Sequence, residues 1–172
     1  MAAGRDELTY AEVGATRSEE LPAGYRHVRR RVVLGRGEEL FPAVVAGMRD
    51  WRIHRLAGLR LRPGTATPQV GSDFSAGLPL LGFTLWVPCR VVWVQDDGAG
   101  YGYGFGTVRG HPEAGEEAFL ASLAGDGTVS FALRAFSRPV SWVARLGGPV
   151  TDRLQDHVND RYVAAARRLA GH

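Results

Sequence analysis

The sequence predicts an α+β fold in which a curved antiparallel sheet of about seven strands wraps around a long C-terminal helix. Three observations predict it. Residues 59–136 consist of short apolar runs cut by Gly, Pro and Asp, which is the punctuation of successive strands. Asp97-Gly98 and Asp126-Gly127 mark tight turns, because Asp-Gly supplies positive φ at little cost, and strands joined by tight turns run antiparallel. Finally, Val150, Leu154, Val158, Tyr162, Ala165 and Leu169 recur at helical spacing up to the terminus, giving one apolar stripe.

Length and composition narrow the function classes. A chain of 172 residues favours one domain with room for a core and an internal cavity. Its 45% hydrophobic and 23% charged residues exclude a disordered chain. Every basic residue other than histidine is Arg, and the absence of Lys excludes Schiff-base, P-loop-lysine and lysine general-base chemistry. Cys89 is the sole cysteine, so intramolecular disulfides and cysteine zinc sites are excluded, and a reducing, cytoplasmic setting is expected. The first twenty residues mix both signs of charge and contain no apolar signal-peptide run. The least polar stretch, Phe74 to Cys89, carries Pro79 and Pro88 and is too short for a membrane span.

Taken in order, residues 1–23 read as a polar lead-in and residues 24–172 as the domain. In 24–34, Val28, Val32 and Leu34 share a face with Arg26 and Arg30, while His27, Arg29 and Arg31 take the other. That period predicts a half-buried strand. Glu38 and Glu39 then open a helix, Pro42 is tolerable only near its start, and Leu40, Phe41, Val44, Met48 and Trp51 form a stripe ending before Gly58. Strands are predicted at 59–62, 68–74, 80–86, 89–96, 101–108, 116–123 and 128–136. Ser137 is a plausible N-cap with Pro139 in the first turn, and Gly147-Gly148-Pro149 breaks or kinks the helix that follows. Asp152, Asp156, Asn159 and Arg167 lie off the apolar stripe and are expected to face water.

The segments GYRHVRRRVVLGRGEELF (24–41), VPCRVVWV (87–94), YGFGTVRGHPEAGEEAF (103–119) and FSRPVSWVARLGGPV (136–150) closely resemble the bacterial and plant family called domain of unknown function 1990. The resemblance covers nearly the whole chain, and its most specific part runs from Gly106-Thr107 through Gly110-His111-Pro112-Glu113 to Glu116-Glu117. That family has no established activity, so the match implies no catalytic residues. The element order also resembles the START-like helix-grip proteins. What this implies is a cavity for an apolar or amphipathic ligand between sheet and terminal helix, an analogy of fold that does not fix function.

Several groupings can carry chemistry. In 101–107, alternation puts Tyr101, Tyr103, Phe105 and Thr107 on one face and Gly102, Gly104 and Gly106 on the other. The rings suit either a pocket lining or plain core, and the bare glycine face permits close approach or sharp bending. The glycine run does not have nucleotide-loop spacing, and no helix follows it. His111 with Glu113, Glu116 and Glu117 is the best acid–base grouping, and equally suits a rigid turn with solvated carboxylates. Glu117 is in phase with Phe119, Ala121 and Leu123, so it points inward and needs a partner, for which Arg90 is the candidate. The five histidines show no close pair at metal-ligand spacing, so no metal is expected. Ten arginines between Arg26 and Arg62 make that region basic, suited to an anionic surface or to simple solvation, with no nucleic-acid motif beside them.

The leading expectation is a non-enzymatic module without a cofactor, holding a small apolar or amphipathic ligand, with Trp93, Tyr103, Phe105, Phe119 and Arg90 as its candidate contacts. A second is a cyclase-, hydratase- or hydrolase-like enzyme using His111 and Glu117 as catalytic residues. A third is an anion- or membrane-surface adaptor acting through Arg26–Arg62.

Overall fold

The structure is a computed structural model describing residues 7–140 and 148–172. Strand β1 (Arg26–Arg36) leads into helices α1 (Leu40–Arg49) and α2 (Arg52–Leu56). Strands β2 (Arg60–Pro63), β3 (Asp73–Leu80), β4 (Phe83–Asp96), β5 (Gly100–Thr107), β6 (Glu113–Leu123) and β7 (Thr128–Pro139) follow, then helix α3 (Gly148–Leu169). All pairings are antiparallel, in the order β1-β7-β6-β5-β4-β3-β2. Chain-adjacent strands are therefore sheet neighbours from β2 onward, while α1 and α2 carry the chain from one edge of the sheet to the other. Among the described residues no helix is long and apolar enough to cross a membrane.

One face of the sheet packs on the helices. Val28, Leu34, Val91, Tyr103, Phe119 and Leu133 join Val44, Met48 and Ile53 of α1–α2 and Tyr162, Ala165 and Leu169 of α3 in one buried cluster. Burial of these side chains supplies the main stabilising term. Residues 8–25 lie on the opposite face, where Tyr10 and Leu21 pack with Ala114 and Phe136 as a second, smaller cluster. The helices thus cover one face of the sheet, and this segment covers part of the other.

Local chemistry explains where elements stop. Asp97 accepts from the N–H of Gly100 (2.7 Å) and Asp126 from that of Thr128 (2.9 Å), fixing the two Asp-Gly turns with Gly98 and Gly127 at positive φ. The single helix predicted up to Gly58 is two. Trp51 adopts φ 59° between them, its indole N–H donating to the Thr65 carbonyl at 3.1 Å, and its burial offsets the strain of the left-handed conformation.

The strands predicted at 68–74 and 80–86 are displaced. β3 and β4 meet at a two-residue turn, Leu81-Gly82, with φ 35° and 90°, flanked by the pair Leu80↔Phe83. An apolar residue in the first turn position hid a hairpin that Asn or Asp would have announced. Ser137 is not a helix cap: β7 continues through Pro139, and Ser137 pairs with Arg26 and Gly115. The helical run expected beyond it, up to Gly147, lies outside the described residues. α3 opens at Gly148 with Pro149 in its first turn, where the missing N–H is harmless.

Candidate functional site

The two faces of the sheet are set by one extra residue in β4. Cys89 and Val91 point toward the helices, opposite Thr107 and Phe105, but the register shifts between Val91 and Trp93, so Trp93 sits opposite Gly104 and Val94 opposite Tyr103. This bulge inverts the alternation. Trp93, expected to line the inner cavity, is therefore on the outer face. Its ring covers Gly104, where a Cβ would come within 2.1 Å of the indole nitrogen, and Tyr10 covers Gly106 in the same way. The glycine face of β5 thus accommodates two aromatic side chains.

Glu116 anchors residues 8–25 on that outer face. Its buried carboxylate accepts from the Tyr10 hydroxyl (2.6 Å), the Gly14 N–H (2.7 Å), the Thr16 N–H (3.0 Å) and the Thr16 hydroxyl, and Trp93 Nε1 donates to Thr16 Oγ1 at 3.0 Å. Donors in that number substitute for hydration of a buried charge. Arg90, the expected partner of Glu117, is also directed elsewhere. It makes a two-pronged pair with Asp73 at 2.7 and 2.9 Å, opposite Gly106 in the β4–β5 register.

On the inner side a pocket of about 530 Å³ lies between the sheet and α3. Leu78, Leu85, Val87, Phe105, Ala135 and Leu154 form apolar walls, and Glu117, Asn159 and Tyr162 bring polar atoms to the lining. His111 and Glu113 also border it. Glu117 is half-buried and borders the pocket. Burial first, and the Glu113 carboxylate second, push its carboxyl up to about 8. Burial first, and the charge of Glu117 second, raise the Cys89 thiol and the Tyr162 phenol above their ordinary values.

His111 Nδ1 lies 3.0 Å from the Glu113 backbone nitrogen and 3.1 Å from the Glu113 carbonyl oxygen, so the backbone of Glu113 engages this ring nitrogen in either neutral tautomer. Burial holds this imidazole down at about 4, hence neutral. The expected acid–base pair is thus brought to one pocket, with both groups neutral near pH 7.

A second polar chain was not foreseen. His54 is fully buried between the Tyr162 hydroxyl (Nδ1, 2.8 Å) and the Tyr103 hydroxyl (Nε2, 3.1 Å). Burial, helped by Arg55, lowers its pKa to about 3. A neutral imidazole donates on one side and accepts on the other, so the three groups form a satisfied relay running from the pocket wall into the core. The only sequence signal was the helical spacing of His54 behind Trp51. Tyr103 and Phe119, expected as lining, instead belong to the aromatic core around His54, with the Phe119 ring 4.6 Å from that of Tyr162 and tilted 51° to it. Phe105 does reach the pocket. Asn159, expected to face water, is buried on the pocket wall, whereas Val150 at the start of the predicted stripe is exposed.

The arginines of 26–62 do not form an unopposed patch. Among the described residues four of the ten pair with carboxylates: Arg26 and Arg30 with Asp156 of α3, Arg36 with Asp126 and Arg49 with Asp96. Asp156, expected to face water, is thereby tied to β1. Among the described residues no three His, Cys, Asp or Glu side chains converge as metal ligands.

An open seven-stranded antiparallel sheet holding a C-terminal helix defines the helix-grip class of protein. Within it, the chain belongs to the family described as Domain of unknown function (DUF1990), whose model matches residues 9–165. It is 29% identical to a UPF0548 protein of Deinococcus radiodurans, over 95% of this chain and 87% of that protein. A UPF0548 protein of Arabidopsis thaliana is also 29% identical, over 74% of this chain but only 64% of its own length. Among solved structures it is similar to Ara h 8.0201, with TM-score 0.56 and 15% identity over 87% of this chain and 100% of that one. It is also similar to a Thalictrum norcoclaurine synthase point mutant in complex with a transition state analogue, with TM-score 0.59 and 9% identity over 88% and 97% of the two chains. At such identities the likeness is one of fold.

Proposed function

We propose that the chain is a small-molecule-binding module that holds an apolar or amphipathic ligand between the sheet and α3. One observation carries the reading: the pocket of about 530 Å³ has aliphatic and aromatic walls and a few polar groups, Glu117, Asn159 and Tyr162, on the same lining. That size and that ratio of apolar wall to orienting polar atoms suit an organic ligand of modest size. The test uses the neutral dye N-phenylnaphthylamine, whose fluorescence rises in apolar surroundings. The native chain is expected to enhance it, and Ala135→Phe, which fills the pocket from β7, to abolish the enhancement while the circular dichroism stays unchanged. No enhancement by the native chain, or full enhancement by a folded Ala135→Phe, refutes the reading.

A second reading is a cyclase-, hydratase- or hydrolase-like enzyme using His111 and Glu117. The observation favouring it is that both side chains border one pocket and Glu117 titrates at about 8, where a carboxyl serves as a general acid near neutrality. Unaltered recovery of a bound compound after long incubation counts against it.

A further inference from the structure

We infer that the pocket is selective for an apolar amine, whose nitrogen is anchored by Glu117 with help from Asn159, and that it rejects amphiphiles headed by a carboxylate. The inference rests on the binding reading above and adds the chemical class of ligand.

Most of the pocket carboxylates are already satisfied by the protein. Glu113 is bonded by the Gln155 amide, whose oxygen accepts from Arg26 at 2.6 Å, and Arg26 is itself paired with Asp152 and Asp156. Glu116 lines the pocket from β6 but spends its carboxylate on the outer face, on Tyr10, Gly14 and Thr16. Glu117 alone has neither a hydrogen bond nor an ion pair among the described residues. Asn159 repeats the pattern: its residue is 7% exposed, it borders the same pocket, and its side-chain amide has no hydrogen bond among the described residues. Among the described residues no fully buried side-chain N or O lacks a partner, so the free polar atoms of Glu117 and Asn159 are open to the pocket, where a ligand's polar atoms can meet them.

The surroundings of Glu117 fix the sign of what can be bound. β4 brings Cys89, β5 brings Phe105 and Thr107, β6 brings Glu113, and β7 brings Ala135. α3 brings Gln155, Asn159 and Tyr162, the loop before β6 brings His111, and His54 of α2 lies behind Tyr162. Both imidazoles are neutral, and no arginine is among the described lining residues. A carboxylate head would therefore meet no cation, and would find the Glu113 carboxyl beside a Glu117 that gains nothing by ionising. An ammonium head meets a carboxylate, the Asn159 oxygen and the Tyr162 hydroxyl, which offer acceptors for its three donors.

Proton linkage follows. With Glu117 titrating at about 8, the free pocket at about pH 7 holds this group mostly protonated, and capture of an ammonium ion expels close to one proton. Affinity for the amine should therefore rise about tenfold for each unit by which pH increases, up to about pH 8.

The experiment is isothermal titration of the full chain with three probes sharing one apolar body: naphthylethylamine, naphthylethanol and naphthylacetic acid. The amine is expected to bind at least about tenfold tighter than the acid, with proton release detectable in buffers of different ionisation enthalpy. Glu117→Gln should remove the amine's advantage and leave naphthylethanol within about twofold. An acid that binds as well as the amine, or amine binding without proton release, overturns the inference on the native chain alone, whatever the variant's fold. Binding of the alcohol in that case leaves the pocket standing. Binding of none of the three removes the pocket reading itself, and this inference with it.

Discussion

Replacing Glu117 with Gln should change how stability depends on pH, and the size of the change follows from the enclosure of this side chain. In the folded chain the carboxyl titrates at about 8, against 4.5 for an ordinary one. Between those values the folded state binds more protons than the unfolded chain. The contribution is thus fully present below pH 4.5 and is lost as pH rises through about 8. Each pH unit in the interval is worth about 1.4 kcal/mol, and with the titration tapering at both ends the move from about pH 5 to about pH 8 removes about 3.5 kcal/mol. Solvent entering the pocket screens the charge, making this an upper figure. Glu117→Gln keeps the shape and cannot ionise, while Glu113 remains in both proteins. Urea unfolding of the two chains at each pH measures the difference directly, and the advantage of the variant should grow by about 3.5 kcal/mol toward the alkaline end. A difference constant to within about 1 kcal/mol would show that a protein group neutralises Glu117, and the reasoning about an unsatisfied pocket carboxyl would be wrong.

Two further outcomes test the outer face. Gly104→Val places carbon against the Trp93 indole and should destabilise by about 3 kcal/mol or prevent folding, with the Trp93 emission shifted red, read by fluorescence-monitored urea unfolding. Glu116→Ala strands the Tyr10, Gly14 and Thr16 donors and should cost about 3 kcal/mol, with early cleavage within residues 8–21 on limited proteolysis. A cleavage rate equal to that of the native chain would contradict its role as the anchor of that segment.

The fold was legible because its signals are periodic. Asp97-Gly98 and Asp126-Gly127 gave their turns through a side chain that caps its own loop, and Tyr162, Ala165 and Leu169 gave the buried stripe of α3. What was missed has specific physical causes. The β3–β4 hairpin turns on Leu81, whose exposed apolar side chain carries no turn chemistry. Trp51 interrupts a stripe that continues through it in sequence, since only its tertiary contacts reward the left-handed backbone.

The site was legible in part. Phase alone aimed Glu117 inward, and motif alone singled out His111, and both reach the pocket. Trp93 went astray because alternation cannot register a bulge. His54 was passed over because its partners, Tyr103 and Tyr162, are 49 and 108 residues away. Arg90 alternates with the inward-facing Cys89 and Val91, so it takes the other face from Glu117 and pairs with its strand neighbour Asp73.

The bulge in β4 has an evolutionary and engineering corollary. Losing Val92 would act on this strand as a frameshift acts on a reading frame: each downstream residue to Asp96 would exchange sides, driving the indole of Trp93 inward and stranding Thr16 without its donor. Substitutions on either side of the sheet can drift independently, whereas the length of this strand cannot. Relatives that keep both the N-terminal strap and the pocket should therefore carry no gap between Cys89 and Asp96.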